Sequence, residues 1–301
     1  MRIFIIFTVC VVIMGSPFLK AFGGDPSIMS EIITAPGTLN FITQGIPSIN
    51  IMGYWLHLPE KHNPSQAWPV LFFLHGGGMG DNPDINRVKK YGPLKHVLEE
   101  SFSNHSPTDL LKGFIIVCPI LPENPKNFTL WIDNIKALDA IIDTIINDCG
   151  GDPSRLYITG SSRGGGGAWR FPKYSKHPIA AIVPVCGHYL NLTNLESLID
   201  IPVWTTCNTS DRLYNIQRRA VSYIEEHGGE KFFLLDTAKP DNSSFLTKRH
   251  IFTSFAKKGH DAWTATYESP QIYQWMLNFQ NIDGKIIRSD KLSLERKKTL
   301  K

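Results

Sequence analysis

The feature that most constrains the fold is a short apolar segment that runs into a glycine-rich turn. Leu156 to Thr159 has the composition of a strand, and Gly160-Ser161-Ser162-Arg163-Gly164 follows at once, with small residues beyond it. This is the pattern Gly-x-Ser-x-Gly between a strand and a helix. A serine on such a strained turn holds its Oγ above a sheet, and a Cβ two positions to either side would collide with neighbouring backbone. The turn therefore predicts a nucleophilic serine.

The register of the turn selects Ser162, because it alone has glycine two positions before and two positions after it. Ser161 is then the variable residue of the pattern. So short a pattern also arises by chance in ordinary turns. The assignment therefore depends on whether the rest of the chain supplies a base and a carboxylate.

Apolar runs of strand length alternate with segments of helical spacing along most of the chain. The predicted strands are residues 49–58, 69–74, 114–118, 156–159, 179–186, 203–207, 232–235 and 251–255. The predicted helices, besides the one after the turn, are residues 94–102, 131–149, 216–227 and 270–281. This alternation predicts the fold class α/β, with a mostly parallel central sheet and helices on both faces.

The composition is that of an ordinary globular protein, with 42% hydrophobic and 19% charged residues among 301. This length accommodates one large α/β domain or two small ones. Because no repeat, low-complexity linker or change in composition divides the chain, we predict a single domain over residues 25–284.

Residues 1–24 have the character of a signal peptide. Met1 and Arg2 give a short positive start, and residues 3–14 form an apolar run that Gly15-Ser16-Pro17 ends. The run is too short to span a membrane and has the length of a signal-peptide core. We predict cleavage between residues 15 and 24, a secreted or periplasmic protein and no stable membrane insertion. An uncleaved anchor is the alternative.

The formal net charge of +4 is unevenly distributed. Residues 285–301 contain seven Lys or Arg and two acidic residues, so they carry +5 and the rest of the chain −1. A nucleic-acid-binding protein carries its positive charge on the folded domain, which argues against a nucleic-acid partner. We predict that residues 285–301 form a basic, disordered tail; contact of the tail with a membrane surface or a nucleic acid is the alternative.

Four cysteines follow the signal segment: Cys118, Cys149, Cys186 and Cys207. In an oxidising compartment an even number allows disulfides, with three possible pairings. Three of them lie in apolar strand-like runs, where buried free thiols are equally compatible, so both outcomes stay open. No Cys-x-x-Cys or His-x-x-x-His spacing occurs. We predict no metal and no cofactor.

A nucleophilic serine needs a base, and the base needs an orienting carboxylate. In a parallel sheet these residues lie on loops after the carboxyl ends of strands, in the chain order serine, acid, histidine. Asp211 follows the strand 203–207 and a polar turn, so it is the predicted acid. Its alternative role is the N-cap of the helix from Ile216, and Asp236 is the competing acid.

His260 is the predicted base, because it lies in the loop after the last strand, residues 251–255. Three other histidines fit less well. His250 is at the start of that strand, His188 precedes the acid, and His227 belongs to the end of a helix.

The oxyanion of an acyl-transfer intermediate needs backbone N–H donors, each worth on the order of 3–4 kcal/mol of barrier. We predict that these are the N–H of Arg163 and one from the loop 76–78, Gly77. A phosphate-binding role for the glycines fails on residue identity. No Gly-Lys-Ser/Thr follows them, and Trp169 occupies the third position of Gly-x-Gly-x-x-Gly.

With these elements in place, the sequence resembles the α/β-hydrolases. Within them it resembles the secreted esterases often labelled predicted peptidases, namely feruloyl esterases, acetylxylan esterases and polyhydroxybutyrate depolymerases. The resemblance spans roughly residues 45 to 280 and is carried by 74–78 with 80–81, 152–169, 201–204, 259–263 and 273–275. It implies Ser162 as nucleophile, Asp211 as acid and His260 as base.

The chain departs from that family's usual pattern at three places. Ser161 and Arg163 replace a hydrophobic residue and a methionine, and Cys207-Asn208 replaces His-Gly. Residues 230–248 resemble an insertion that could form a wall of the substrate pocket. Arg163 either favours an acidic or polar substrate or points into solvent.

The sequence thus predicts a secreted serine esterase that acts through an acyl-enzyme on small or polysaccharide-linked esters, carbohydrate- or phenolic-linked ones above all. Trp131 and Trp263 are candidate pocket residues, with plain packing as their alternative. Peptidase activity by the same three residues is a second hypothesis. A non-catalytic hydrolase-like binding domain is a third, and the oligomeric state is not predicted.

Overall fold

The structure is a computed structural model. It describes residues 35–43, 46–48, 50–78, 84–99, 107–123, 129–188, 192, 195–238 and 244–288. The predicted signal peptide, residues 1–24, and the tail beyond residue 288 lie outside the described residues.

Within the described residues, nine strands form one sheet and two more form a hairpin. The strands are β1 (Leu39–Ile42), β2 (Gly53–His57), β3 (Trp68–Leu74), β4 (Ile115–Ile120), β5 (Gly151–Ser161), β6 (Ala181–Val185), β7 (Val203–Asn208), β8 (Phe233–Leu235), β9 (His250–Phe255), β10 (Phe279–Ile282) and β11 (Lys285–Arg288). The helices are α1 (Gly92–Val97), α2 (Pro107–Leu111), α3 (Ile135–Cys149), α4 (Arg163–Tyr174), α5 (Tyr214–Glu226), α6 (Trp263–Tyr267) and α7 (Pro270–Met276).

The large sheet has the strand order β1-β2-β4-β3-β5-β6-β7-β9-β8. Its two pairs at the β1 end, β1 with β2 and β2 with β4, are antiparallel. All other neighbours are parallel. The predicted mostly parallel sheet is therefore confirmed.

The order of the strands in the sheet determines where a ligand-binding crevice can form. β3 lies between β4 and β5. The chain goes from β3 to β4 on one side of it and then crosses to β5 on the other side. At such a switch point the loops beyond the carboxyl ends of the strands separate and leave a crevice. The loop after β3 and the turn after β5 both reach this crevice.

Apolar packing explains why the central strands read as continuous hydrophobic runs. Every residue of β4, β6 and β7 is buried, because helices and loops cover the sheet. α3 presents Leu138, Ile141, Ile142 and Ile145 to this core, and Trp204 of β7 meets Trp275 of α7 edge to face at 5.7 Å. Among the described residues, no helix has both the length and the apolar composition needed to cross a bilayer.

The end of the described chain differs from the sequence prediction. The helix predicted over 270–281 ends at Met276, and residues 285–288, which the charge pattern assigns to the tail, form β11 paired with β10. Asp283 and Gly284 both have positive φ, 51° and 80°, as a two-residue hairpin turn requires. The hairpin packs against the sheet, where the hydroxyl of Tyr157 donates to the carbonyl of Phe279 at 2.9 Å.

The stretch 230–248, interpreted as an insertion, is partly integral to the sheet. Phe233–Leu235 forms the edge strand β8, and Phe245 packs edge to face on Trp204 at 5.4 Å. Residues 236–238 line a pocket together with residues from the end of β9, the loop after it and the α6 region. None of the described residues of this stretch lines the pocket that contains Ser162.

Candidate active site

The turn between β5 and α4 holds Ser162 in a strained conformation. Ser162 has φ 54°, a left-handed value that side chains other than glycine rarely adopt. A Cβ on Gly160 would lie 2.5 Å from the carbonyl oxygens of Gly164 and Leu74. A Cβ on Gly164 would overlap the carbonyl oxygen of Leu74. Both glycines of the pattern are therefore required by close backbone packing.

The structure brings Ser162, His260 and Asp211 together in one chain of hydrogen bonds. Ser162 Oγ lies 2.8 Å from His260 Nε2, and His260 Nδ1 lies 2.6 Å from Asp211 Oδ2. A carboxylate can only accept, so Nδ1 carries a proton and Nε2 is left to accept the serine proton. The Asp211 side chain is 1% exposed and that of His260 is 33% exposed, so the acid is shielded while the imidazole faces the pocket.

Asp211 is positioned by the end of β7. Its backbone N–H donates to Asn208, and its Oδ1 accepts the N–H of Leu213 at 2.9 Å. These bonds leave Oδ2 aimed at His260. The alternative N-cap role is not the one observed, since α5 begins at Tyr214 with Leu213 as its cap and no side-chain cap bond.

Asn208 is a residue of this site that the sequence reasoning did not assign a role. Its buried amide Nδ2 donates to the carbonyls of Gly259 (3.0 Å) and Asp261 (3.1 Å), on both sides of His260. It thereby ties the loop that carries the histidine to the strand that leads to the acid. The signal available in the sequence was its departure from the usual His-Gly before the acid.

The other residues considered as acid or base in the sequence analysis do not join this chain of hydrogen bonds through their side chains. His250 is buried between the carbonyls of Glu230 and Ile201, and His227 bonds the carbonyl of Tyr223 in its own helix. Asp236 lines a different pocket. His188 approaches through its backbone, whose N–H donates to the carbonyl of Ser162 at 2.8 Å.

Arg163 lies inside the protein, so of its two predicted roles the one in which it points into solvent is wrong. It is 4% exposed. Its Nη2 donates to the carbonyl of Leu121 at 2.7 Å, and its Nη1 lies 3.6 Å from Glu123 Oε1. Glu123 in turn packs on Gly77, where a Cβ would lie 2.5 Å from Oε1. The guanidinium therefore supports the loop after β4, which backs the loop after β3.

His75 connects the same two loops. Its Nδ1 donates to the carbonyl of Gly76 at 2.7 Å, and its Nε2 accepts the N–H of Leu121 at 3.1 Å. Burial lowers the pKa of His75 to about 3, and the nearby guanidinium of Arg163 acts in the same direction. His75 is therefore neutral and holds the glycine loop in place without a charge.

The two tryptophans predicted for the pocket have different surroundings. Trp131 is 1% exposed, donates to the carbonyl of His75 at 3.1 Å and meets its ring edge to face at 4.9 Å. It is therefore a packing residue behind the glycine loop, contrary to the prediction. Trp263 lines the pocket, with its ring edge to face with His260 at 5.5 Å.

The pocket above the serine has a volume of about 470 Å³. Among the described residues it is lined by Gly76, Gly77, Arg87, Lys90, Tyr91, Ser161, Ser162, His260 and Trp263. Gly77 stands in the pocket wall. Arg163, the residue of the other predicted N–H donor, is the first residue of α4.

The four cysteines of the described chain are free thiols, and all four are buried. Burial raises the pKa of Cys186 to about 12 and that of Cys149 to about 11, so neither is a thiolate near neutral pH. Cys186 lies beside the hydrogen-bonded chain, with its Sγ, Asp211 and His260 within 4.8 Å of one another. Because Asp211 and His260 bond each other and the thiol is protonated, this group is a poor metal site.

No family model matches the chain. A probable feruloyl esterase C from Aspergillus terreus is 29% identical over 131 residues, 42% of this chain and 42% of that protein. The feruloyl esterase C of Emericella nidulans is 25% identical over 152 residues, 50% of this chain and 52% of that protein. The chain thus spans about half the length of the curated relatives it matches.

Solved structures show the same architecture. The crystal structure of a thermostable esterase matches with a TM-score of 0.58 at 22% identity, covering 81% of this chain and 62% of that one. A mutant feruloyl esterase module from Clostridium thermocellum, complexed with sinapinate, matches with a TM-score of 0.51 at 13% identity, covering 84% and 92%. The chain has the α/β-hydrolase fold. Among proteins of that fold, its sequence is similar to feruloyl esterases.

Proposed function

We propose that this chain hydrolyses carboxylic esters through a covalent acyl-enzyme, with Ser162 as nucleophile, His260 as base and Asp211 as the orienting acid. The observation that carries the proposal is the chain of two hydrogen bonds, 2.8 Å from Ser162 to His260 and 2.6 Å from His260 to Asp211. It ends at a serine with φ 54° in the wall of an open pocket.

In acylation, Ser162 Oγ attacks the ester carbonyl while His260 Nε2 takes its proton. Asp211 accepts the hydrogen bond of His260 Nδ1, which holds the imidazole in the required tautomer and stabilises the imidazolium that forms. The backbone N–H groups of Gly77 and Arg163 stabilise the tetrahedral oxyanion. His260 then protonates the leaving alcohol, and the ester bond breaks.

In deacylation the same groups act on water. His260 takes a proton from the water as it attacks the acyl carbonyl, the oxyanion forms at the same donors, and Ser162 leaves as its hydroxyl. Each step balances with water as the co-substrate. The protein residues supply the whole mechanism, so the proposal requires no cofactor.

We further propose that the substrates are phenolic- or carbohydrate-linked esters and that the protein acts outside the cytoplasm. The similarity to two feruloyl esterases supports the first part. The aromatic side chains of Tyr91 and Trp263 in the pocket suit a planar acyl or alcohol group. The short positive start and apolar run of residues 1–24 support the second part.

Covalent labelling tests the assignment of the nucleophile. A fluorophosphonate should attach once to the full chain, and peptide mass spectrometry should locate the adduct on Ser162. The variant Ser162→Ala should take up no label, while Ser161→Ala, one residue away in the same pocket, should keep it. Labelling of folded Ser162→Ala to the same extent as the unaltered protein would contradict the proposal and favour another nucleophile. Absence of labelling in the folded, unaltered protein would favour a binding domain.

A further inference from the structure

One wall of the pocket above Ser162 is positively charged. It is formed by the 3-10 helix Ile85–Lys90 and by Tyr91, the residue after it. Arg87 and Lys90 both line the pocket, and both side chains are exposed. His260 and Trp263 line the same cavity, so a ligand that reaches Ser162 comes close to two positively charged side chains.

Arg87 is anchored next to the proposed oxyanion donors. Its Nη1 donates to the carbonyl of Gly78, directly after Gly77. This bond fixes the guanidinium at the rim and leaves its remaining N–H groups for a ligand. Lys90, one helical turn further on, provides a mobile ammonium at the end of a flexible stem.

Within the described chain, neither cation forms an ion pair with a carboxylate. The nearby acidic side chains of the described chain lie against other groups. Asp84 accepts the N–H of Asn86, Glu123 lies against Arg163, and Glu268 lines a smaller neighbouring pocket that shares Lys90. No described carboxylate lines the pocket above the serine. Among the described residues, no carboxylate therefore neutralises this wall.

An anion in a pocket lined by two cations is attracted by both, and more strongly where the cavity limits water. We propose that Arg87 and Lys90 form a subsite for an anionic group, so that preferred substrates are esters whose acyl or alcohol part bears a carboxylate or comparable anion. The inference rests on the proposed ester hydrolysis and adds the substrate class. Both kinds of ester carry an anion, and the test distinguishes an anion on the acyl side of the ester bond from one on the alcohol side.

The test compares matched esters that differ by one charge. For the acyl side these are 4-nitrophenyl hydrogen adipate and 4-nitrophenyl methyl adipate. For the alcohol side they are 3-acetoxybenzoate and methyl 3-acetoxybenzoate. In at least one pair, kcat/KM of the full chain should be about tenfold higher for the anionic ester at low ionic strength, and the advantage should shrink at about 0.5 M NaCl.

Variants assign the preference to the wall. In Lys90→Gln with Arg87→Gln, the ratio of anionic to neutral kcat/KM should fall to about one, whereas Arg87→Lys should keep most of it. Lys176→Gln is the matched control. Lys176 is also an exposed lysine, but it pairs with Asp143 beyond the far end of α4 and should leave the ratio unchanged.

Binding to Ser162→Ala keeps the two proposals separate. Ligand-observed nuclear magnetic resonance should show monomethyl adipate binding more tightly than dimethyl adipate, with the difference lost in the double variant. If esters are hydrolysed but neither kcat/KM nor binding favours the anionic compound over the neutral one, the subsite is overturned and ester hydrolysis stands. If no ester is hydrolysed but the anionic compound still binds more tightly than the neutral one, ester hydrolysis is overturned and the subsite is supported.

Discussion

The guanidinium of Arg163 donates to the carbonyl oxygen of Leu121 across 2.7 Å, in the interior of the protein. One residue thus links three parts of the site. Its backbone follows Ser162, its side chain holds the loop after β4, and that loop supports Gly77 through Glu123. An arginine at this position is therefore a positioning residue for the pair of N–H groups proposed to bind the oxyanion.

Replacing Arg163 by methionine should lower kcat with little change in KM. Loss of a complete oxyanion donor costs about 100- to 1,000-fold, and a displaced donor should cost about 10- to 100-fold. The inhibition constant of a trifluoromethyl ketone, which forms a tetrahedral adduct on serine, should rise in parallel. Arg163→Lys should recover part of the loss.

Arg155→Met is the control for this prediction. Arg155 also makes an ionic contact, to the half-buried Asp152 at 2.7 Å, but near the start of β5 and away from the serine. It should alter the unfolding midpoint more than kcat. An Arg163→Met protein with unchanged kcat, or one whose loss of kcat is matched by Arg155→Met, would contradict the positioning role.

Asn208→Ala should misplace His260 by releasing the carbonyls of Gly259 and Asp261. We expect a fall in kcat and slower fluorophosphonate labelling, together with a loss of about 1–3 kcal/mol in the free energy of unfolding. Asn208→Asp should be worse, because a carboxylate would face two carbonyl oxygens and the charge of Asp211.

The matched control is Asn281→Ala. Its buried amide also donates to a backbone carbonyl, that of Ile179, at 3.0 Å, but in the β10 region. Urea unfolding should show a comparable loss of stability with kcat retained. Equal kinetic effects of the two alanine variants would show that Asn208 acts only on stability.

Gly164→Ala should prevent correct folding. The added Cβ would overlap the carbonyl oxygen of Leu74, which belongs to the central strand and has no room to move. We expect destabilisation above about 4 kcal/mol, seen as insoluble protein or loss of the cooperative transition in circular dichroism. Gly113→Ala, whose Cβ would meet only one backbone oxygen at 3.3 Å, should fold normally. A soluble, active Gly164→Ala protein would contradict the described turn.

The neutral His75 should contribute to acid sensitivity. Its folded-state pKa, about 3, lies below the ordinary value of 6.5, so the unfolded chain binds a proton that the folded chain does not. The free energy of unfolding therefore rises with pH across that window, and the contribution of His75 is lost as pH falls from about 6.5 towards 3.

The measurement is urea unfolding at several pH values in that window. His75→Gln should reduce stability near neutral pH and give a shallower slope against pH than the unaltered protein, by up to one proton. His227→Gln, an exposed histidine at the end of α5, should keep the full slope. An unchanged slope in His75→Gln would mean that other groups account for the acid sensitivity.

The sequence was sufficient for the parts of the site that short-range chemistry determines. The Gly160 and Gly164 spacing specified the turn, and the alternation of apolar runs specified a parallel sheet. Chain order then selected Asp211 and His260. These predictions work because each depends on a few neighbouring residues and on one rule for where parallel strands end.

Long-range contacts account for what the sequence did not reveal. The environment of Arg163 depends on Leu121 and Glu123, some forty residues away in sequence. The burial of Trp131 depends on His75. The β10–β11 hairpin, by contrast, had a local signal in Asp283-Gly284, which the basic charge of the following residues obscured.

The central claim is tested most directly by the pre-steady-state hydrolysis of 4-nitrophenyl acetate by the full chain, beside Ser162→Ala with its fold checked by circular dichroism. The account predicts a burst of about one equivalent of 4-nitrophenol for a site that forms an acyl-enzyme, then steady turnover, and a fall of about 10³-fold or more in Ser162→Ala. Equal rates for the two folded proteins would show that Ser162 is not the nucleophile and would contradict the proposed mechanism.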